Sequence, residues 1–198
     1  NELSYTDKLE QARSQQSLNP GCQDLIWLWI YHKFPNHDYY WFIEYDVDYT
    51  GAWFDFFADF EDNNRDMLAT TMYRFSFRPS WCHWGGMKLP NNVATSQYIR
   101  SLCCILRLSS SALACLDANY KLRCGGHFEC LAPTLLYSSG LTIEDIGGDG
   151  EFVNPNNRNK YYTNTPSNEG LLPGSFTVWP NKFNSLGPNS ILIHPVKS

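Results

Sequence analysis

The stretch Tyr39-Tyr40-Trp41-Phe42-Ile43-Glu44-Tyr45-Asp46-Val47-Asp48-Tyr49 constrains the fold more than any other part of the chain. Its first half is a short apolar and aromatic run, which reads as a buried strand. The run ends in Glu44, Asp46 and Asp48. On an extended chain these alternate positions point the same way. Three carboxylates on one face repel each other unless a cation sits between them. Oxygen ligands of this kind suit a hard divalent ion, Mg²⁺ or Mn²⁺. A buried strand that delivers acids to its C-terminal tip is the usual way an α/β fold builds a site. The alternative is that Asp46 and Asp48 merely open a solvated turn before Thr50-Gly51.

The bulk properties fit a globular reading. A chain of 198 residues is long enough for one α/β domain with its own core, and we read 1–198 as a single unit. Aromatic residues make up 16% and charged residues only 18%, which is not a disordered composition. A net charge of −5 with no basic patch argues against nucleic acid as a partner. No apolar run approaches the ~20 residues needed to span a bilayer, and no signal peptide is visible, so membrane association is not indicated. The seven cysteines form no CxxC pair, which argues against structural zinc. Cys103, Cys104 and Cys115 sit among Leu, Ile and Ala, as small buried hydrophobes do. Mostly free thiols and the lack of an Asn-x-Ser/Thr sequon favour a reducing compartment, the cytoplasm, over the Golgi lumen.

The pattern predicts helices over Thr6–Ser17 and Cys22–Phe34, broken by Asn19-Pro20-Gly21 and ended by Pro35-Asn36. The aromatic stretch Gly51–Phe60 reads as a helix against the core, and Met67–Phe77 as the next strand. Asn92–Leu108 reads as a helix that runs into an apolar strand or helix end near Leu106. Further helices are expected over Ser109–Asn119 and His127–Ser138, the latter despite Pro133. Short strands are expected at Leu141–Ile146, Ser175–Trp179 and Ser190–His194. Gly147–Gly174 is loop-like and long for a compact domain, as functional loops are.

The phrase Trp41-Phe42-Ile43-Glu44-Tyr45-Asp46-Val47, followed by Gly51-Ala52-Trp53, resembles the Asp-x-Asp strand of the A-type (GT-A) nucleotide-sugar glycosyltransferases. The longer phrase also resembles a group of poorly characterised GT-A-like proteins from fungi and bacteria. The resemblance covers roughly 21–197. It implies a Rossmann-type mixed sheet flanked by helices, with Asp46 and Asp48 on a Mn²⁺ or Mg²⁺ ion that bridges the donor's diphosphate. Glu44 would flank that site. GT-A domains place two or three strands before this one to hold the base and ribose, whereas here only 38 residues precede Tyr39. The expectation is therefore a sheet without its first strands, completed by a missing N-terminal segment or a partner chain.

Three further groups of residues carry chemistry. In Cys124-Gly125-Gly126-His127-Phe128-Glu129 the glycine pair lets backbone approach a ligand closely, and the acid falls at a helix start, where the dipole stabilises it. By resemblance Gly125, Gly126 and His127 face the acceptor and Glu129 is the general base. The family more often follows this acid with Asp, where this chain has Cys130. Glu144-Asp145, before Gly147-Gly148, is the rival pair, with Asp145 its catalytic candidate. At the other end, His194 follows an apolar run. The resemblance implies that it completes the metal's coordination while Lys197 neutralises phosphate charge. Trp81 and Trp84, in a Gly-bearing loop with His83, suit stacking on sugar faces or simply fill core. Arg158 and Lys160, in the long Asn-rich loop, could meet phosphate but read first as ordinary surface charge. Ser109-Ser110-Ser111 lacks the setting of a nucleophile elbow.

The expected activity is metal-dependent transfer of a sugar from a nucleotide-sugar donor to a hydroxyl of a glycan or other acceptor. The alternatives are a non-catalytic carbohydrate-binding protein of the same fold and a metal-dependent phosphoesterase.

Overall fold

The structure, a computed structural model, describes residues 5–14, 21–90, 92–162 and 190–196. Helices α1 (Thr6–Ser14) and α2 (Asp24–Lys33) precede strand β1 (Tyr39–Ile43). A two-residue strand β2 (Asp48–Tyr49) and a short helix α3 (Trp53–Ala58) follow. Then come β3 (Met67–Arg74), β4 (Ile99–Ser109), α4 (Ser110–Lys121), α5 (Phe128–Ser138), β5 (Ile143–Asp145) and β6 (Leu192–Ile193).

The fold is mixed α/β. A four-stranded sheet has the order β1-β4-β3-β5, with β3 and β5 parallel and the other pairs antiparallel. Both faces are covered. Cys103, Leu106 and Leu108 of β4 pack with Tyr40, Met67 and the inner sides of α2, α4 and α5. Leu102, Cys104 and Ile105 pack on the other side with Phe56, Phe60, Tyr161 and Leu192. Residues buried on both faces explain the correction at Asn92–Leu108: this segment contributes no α-helix, and Ile99–Ser109 is an eleven-residue strand. A central strand reads as a continuous apolar run without period-2 alternation, which periodicity alone does not separate from a buried helix.

The helix ends follow local chemistry. Ser109 Oγ caps α4 by accepting the Ala112 N–H at 3.0 Å. Pro133 lies inside α5, and the next residue ties the helix to the sheet, since Thr134 Oγ1 accepts the Ile99 N–H at 3.0 Å. The seven cysteines are free thiols. Among the described residues no helix is long and apolar enough to cross a membrane. The expected strand at Ser175–Trp179 and Lys197 lie outside the described residues.

Candidate metal centre and its surroundings

The acids are delivered as β1 runs out. Ile43 is the last ladder residue, and the Glu44 N–H still donates to the Cys104 carbonyl at 2.8 Å. The chain then turns, with the Val47 N–H returning to the Glu44 carbonyl at 3.1 Å. β2 pairs antiparallel with β6, Asp48 opposite Ile193 and Tyr49 opposite Leu192. The Val196 N–H adds a bond to the Asp46 carbonyl at 2.8 Å. This small second sheet carries His194 to the acids. Its Nε2 lies 3.4 Å from Glu44 Oε2 and 3.7 Å from Asp46 Oδ1. One ligand atom from each of Glu44, Asp46 and His194 lies within 4.8 Å of the others. Asp46 and His194 are about nine-tenths buried, and Glu44 keeps 32% of its side-chain exposure.

The sequence pairing of Asp46 with Asp48 shifts by one step. Because the strand ends at Ile43, the alternation that would align three acids is lost at the turn. Asp48 is exposed on β2, and its Oδ1 accepts the neighbouring Tyr49 N–H at 2.7 Å. The group of three found among the described residues is Glu44, Asp46 and His194. Tyr45, between Glu44 and Asp46, is 99% exposed.

Glu129 lies in the first turn of α5. His127 is the N-cap, its Nδ1 accepting the Glu129 N–H at 3.4 Å. Burial pushes the Glu129 pKa up to about 7, with Arg100 pulling it down, Glu44 raising it and His194 lowering it. Glu129 thus lies within electrostatic reach of two members of the acid–imidazole group. Sequence reasoning missed Arg100, whose guanidinium lies 5.0 Å over the Trp81 ring.

The remaining candidates divide between site and scaffold. Asp145 is wholly buried: Oδ1 accepts from the Tyr162 hydroxyl and the Gly147 N–H, and Oδ2 accepts the Met72 N–H. β3 slips register around Thr70, and the amides released there need partners. Asp145 and Tyr162 supply them, Tyr162 Oη accepting the Thr71 N–H at 2.7 Å. Burial holds the Asp145 pKa up at about 6. Its neighbour Glu144 accepts from Asn63 and Arg65. The rival pair therefore stitches strands together in this structure. Trp84 is buried between Phe75 and Tyr98, with Nε1 donating to the Arg78 carbonyl, so it fills core and offers no face to a sugar. Trp81 is half-buried against His83 and His127. Lys160 pairs with Asp59 and Arg158 donates to the Asp149 carbonyl.

The glycine pair is used differently from expectation. At Gly126, φ is +132° and a Cβ would stand 3.0 Å from Met87 Cα and 3.1 Å from the Gly86 carbonyl oxygen. Gly125 bridges Lys88. What approaches this backbone closely is the 86–88 segment. From below, the buried Lys8 ammonium donates to the Gly126 and Gly21 carbonyls and pairs with Asp24 at 2.8 Å.

Comparison with protein-family models, with curated proteins and with solved structures returns no match.

Proposed function

We propose that the protein is a divalent-metal-dependent glycosyltransferase that moves a sugar from a nucleotide-sugar donor to an acceptor hydroxyl. The observation that carries this reading is the convergence of Glu44, Asp46 and His194 from two distant chain segments, with the buried carboxyl of Glu129 in electrostatic reach. The donor set fits Mn²⁺ or Mg²⁺: two hard carboxylates supply charge, and an imidazole completes a set that Mn²⁺ accepts readily. When bound, the ion neutralises charge on the diphosphate leaving group. Glu44 and Asp46 hold that position at the end of β1, and β6 brings in His194. Glu129, ionised, accepts the proton of the attacking hydroxyl. A base with a pKa of about 7 both takes and releases a proton at neutral pH. Arg100 stabilises the ionised form of Glu129.

The test is incubation of the purified chain with Mn²⁺ and a panel of UDP-, GDP- and CMP-sugars. The expected result is donor cleavage that EDTA abolishes. Phosphate release from p-nitrophenyl phosphate with no cleavage of any nucleotide sugar would replace the transferase by a phosphoesterase.

A further inference from the structure

β4 carries two arginines whose charges are met in different ways. Arg107 is buried, and its guanidinium donates to the carbonyls of Phe60, Asn63 and Arg65 and to Asn63 Oδ1. Arg100 is partly buried near the start of the strand, opposite Tyr73 of β3. Among the described residues its guanidinium has no hydrogen-bond acceptor and no ion pair. Its contact is the Trp81 ring, 5.0 Å away at the centroid. Taking a cation out of water costs free energy unless hydrogen bonds or an opposite charge replace the water. An aromatic face replaces part of it and leaves the N–H donors of the fork unused.

A second guanidinium converges on the same place. Arg78 is exposed in the loop after β3, and among the described residues its side chain has no partner either. Its carbonyl accepts the Trp81 N–H at 3.2 Å and Trp84 Nε1–H at 3.0 Å. The turn from Arg78 to Trp81 is thereby closed and tied to the buried Trp84. Arg78 stands at one end of that turn, and the ring that meets Arg100 stands at the other. The charges act on each other: burial lowers the Arg100 pKa, Glu129 raises it and Arg78 lowers it. Burial and Arg100 hold the His83 pKa below its ordinary value, so this neighbour is neutral at pH 7. The carboxyl that acts on Arg100 is Glu129, only partly ionised at neutral pH with a pKa of about 7. Two guanidiniums therefore meet less than one negative charge.

We propose that Arg78 and Arg100, grouped at Trp81, form a binding site for a phosphate group, separate from the metal centre. Neither arginine belongs to the Glu44, Asp46 and His194 group. A guanidinium fork takes two phosphate oxygens at once. A phosphate carries a charge of about −1.5 to −2 at neutral pH, which answers two guanidiniums where a carboxylate answers one. Glu129 acts on the same Arg100 and competes with the phosphate for it. The site needs neither metal nor turnover, so it stands or falls independently of the transferase reading.

Isothermal calorimetry in EDTA at low salt tests the assignment, with inorganic phosphate and glucose 1-phosphate as probes and glucose and glucuronic acid as controls. Both probes should bind without metal, and more tightly than either control. Arg78→Gln should weaken them by about tenfold or more while melting at the wild-type temperature and binding Mn²⁺ with wild-type affinity. Arg100→Met should weaken them similarly, and Arg13→Gln, an exposed arginine of α1, should leave them unchanged. Glu129→Gln should bind them more tightly, since it removes the competitor; a merely structural role for Arg100 has no such effect. Glucose 1-phosphate bound more tightly than inorganic phosphate identifies an ester as the ligand, equal affinities identify the free anion, and both uphold the site. Binding that appears only with Mn²⁺, glucuronic acid bound as tightly as the phosphates, or unchanged affinity in Arg78→Gln would overturn it.

Discussion

Asp46 and Asp48 carry the same functional group two positions apart, yet the turn after Ile43 gives them different surroundings. Asp46 is nearly buried beside His194, and Asp48 is exposed and occupied with its own strand. Asp46→Asn should therefore weaken Mn²⁺ binding by more than the 10–100-fold that losing an outer-shell partner costs. Asp48→Asn should leave it within about twofold on the same scale. Isothermal calorimetry checks both, and equal losses would restore the Asp-x-Asp pairing.

At Glu129 the charged and titratable groups near the carboxyl are His127, whose Nδ1 lies 3.8 Å from Oε2, together with Arg100, Glu44 and His194. The raised Glu129 pKa has two readouts of opposite sense. Transfer should rise with pH through about 7, as the base ionises. Stability should fall as pH rises from about 4.5 to about 7, because in that window the folded carboxyl holds a proton that the unfolded one has lost. Glu129→Gln should remove this part of the stability slope and cut turnover by roughly 10²–10⁴-fold. Stopped assays across pH and urea melts at several pH values measure the two. Asp145→Asn cannot accept from all its present donors, and a buried N–H left unsatisfied costs about 1–3 kcal/mol. Lower thermal stability with unchanged Mn²⁺ affinity is the expected outcome.

Among the elements, those with strong punctuation were legible in the sequence. α2 ends before Pro35, α4 starts at the Ser109 cap, and α5 starts just after the glycine pair. β4 was not legible, since Arg100 and Arg107 interrupt an apolar run that shows no alternation when both faces are buried. Nor could the sequence show where the chain goes after Ile43, because the segment beyond the turn is held by the pairing of β2 with the distant β6. The glycine pair was legible as a close approach, but its partner was not. Gly126→Ala should cost at least about 1 kcal/mol, since φ is positive and the new Cβ meets backbone. Gly85→Ala, with nothing within 4 Å, should be close to neutral. Thermal melts of the two variants decide it, and equal melting temperatures would contradict the packing described.

At the scale of the whole molecule, the four-stranded sheet is a two-sided scaffold and the small β2–β6 sheet is the clasp that makes a site from it. The clasp sets His194 against the acids of β1. α5, bonded to β4 through Thr134, holds the buried Glu129 within their electrostatic reach. Asp46 and His194 were legible in the sequence as candidate residues at element ends. Their grouping with Glu44 depends on a long-range strand pairing that no local pattern encodes. The most direct test of the metal centre is anomalous diffraction from crystals soaked in Mn²⁺, recorded on the manganese absorption edge. The account predicts a single strong peak bounded by the carboxylates of Glu44 and Asp46 and the Nε2 of His194. A map with no peak there, or with its peak at Asp48, would contradict it.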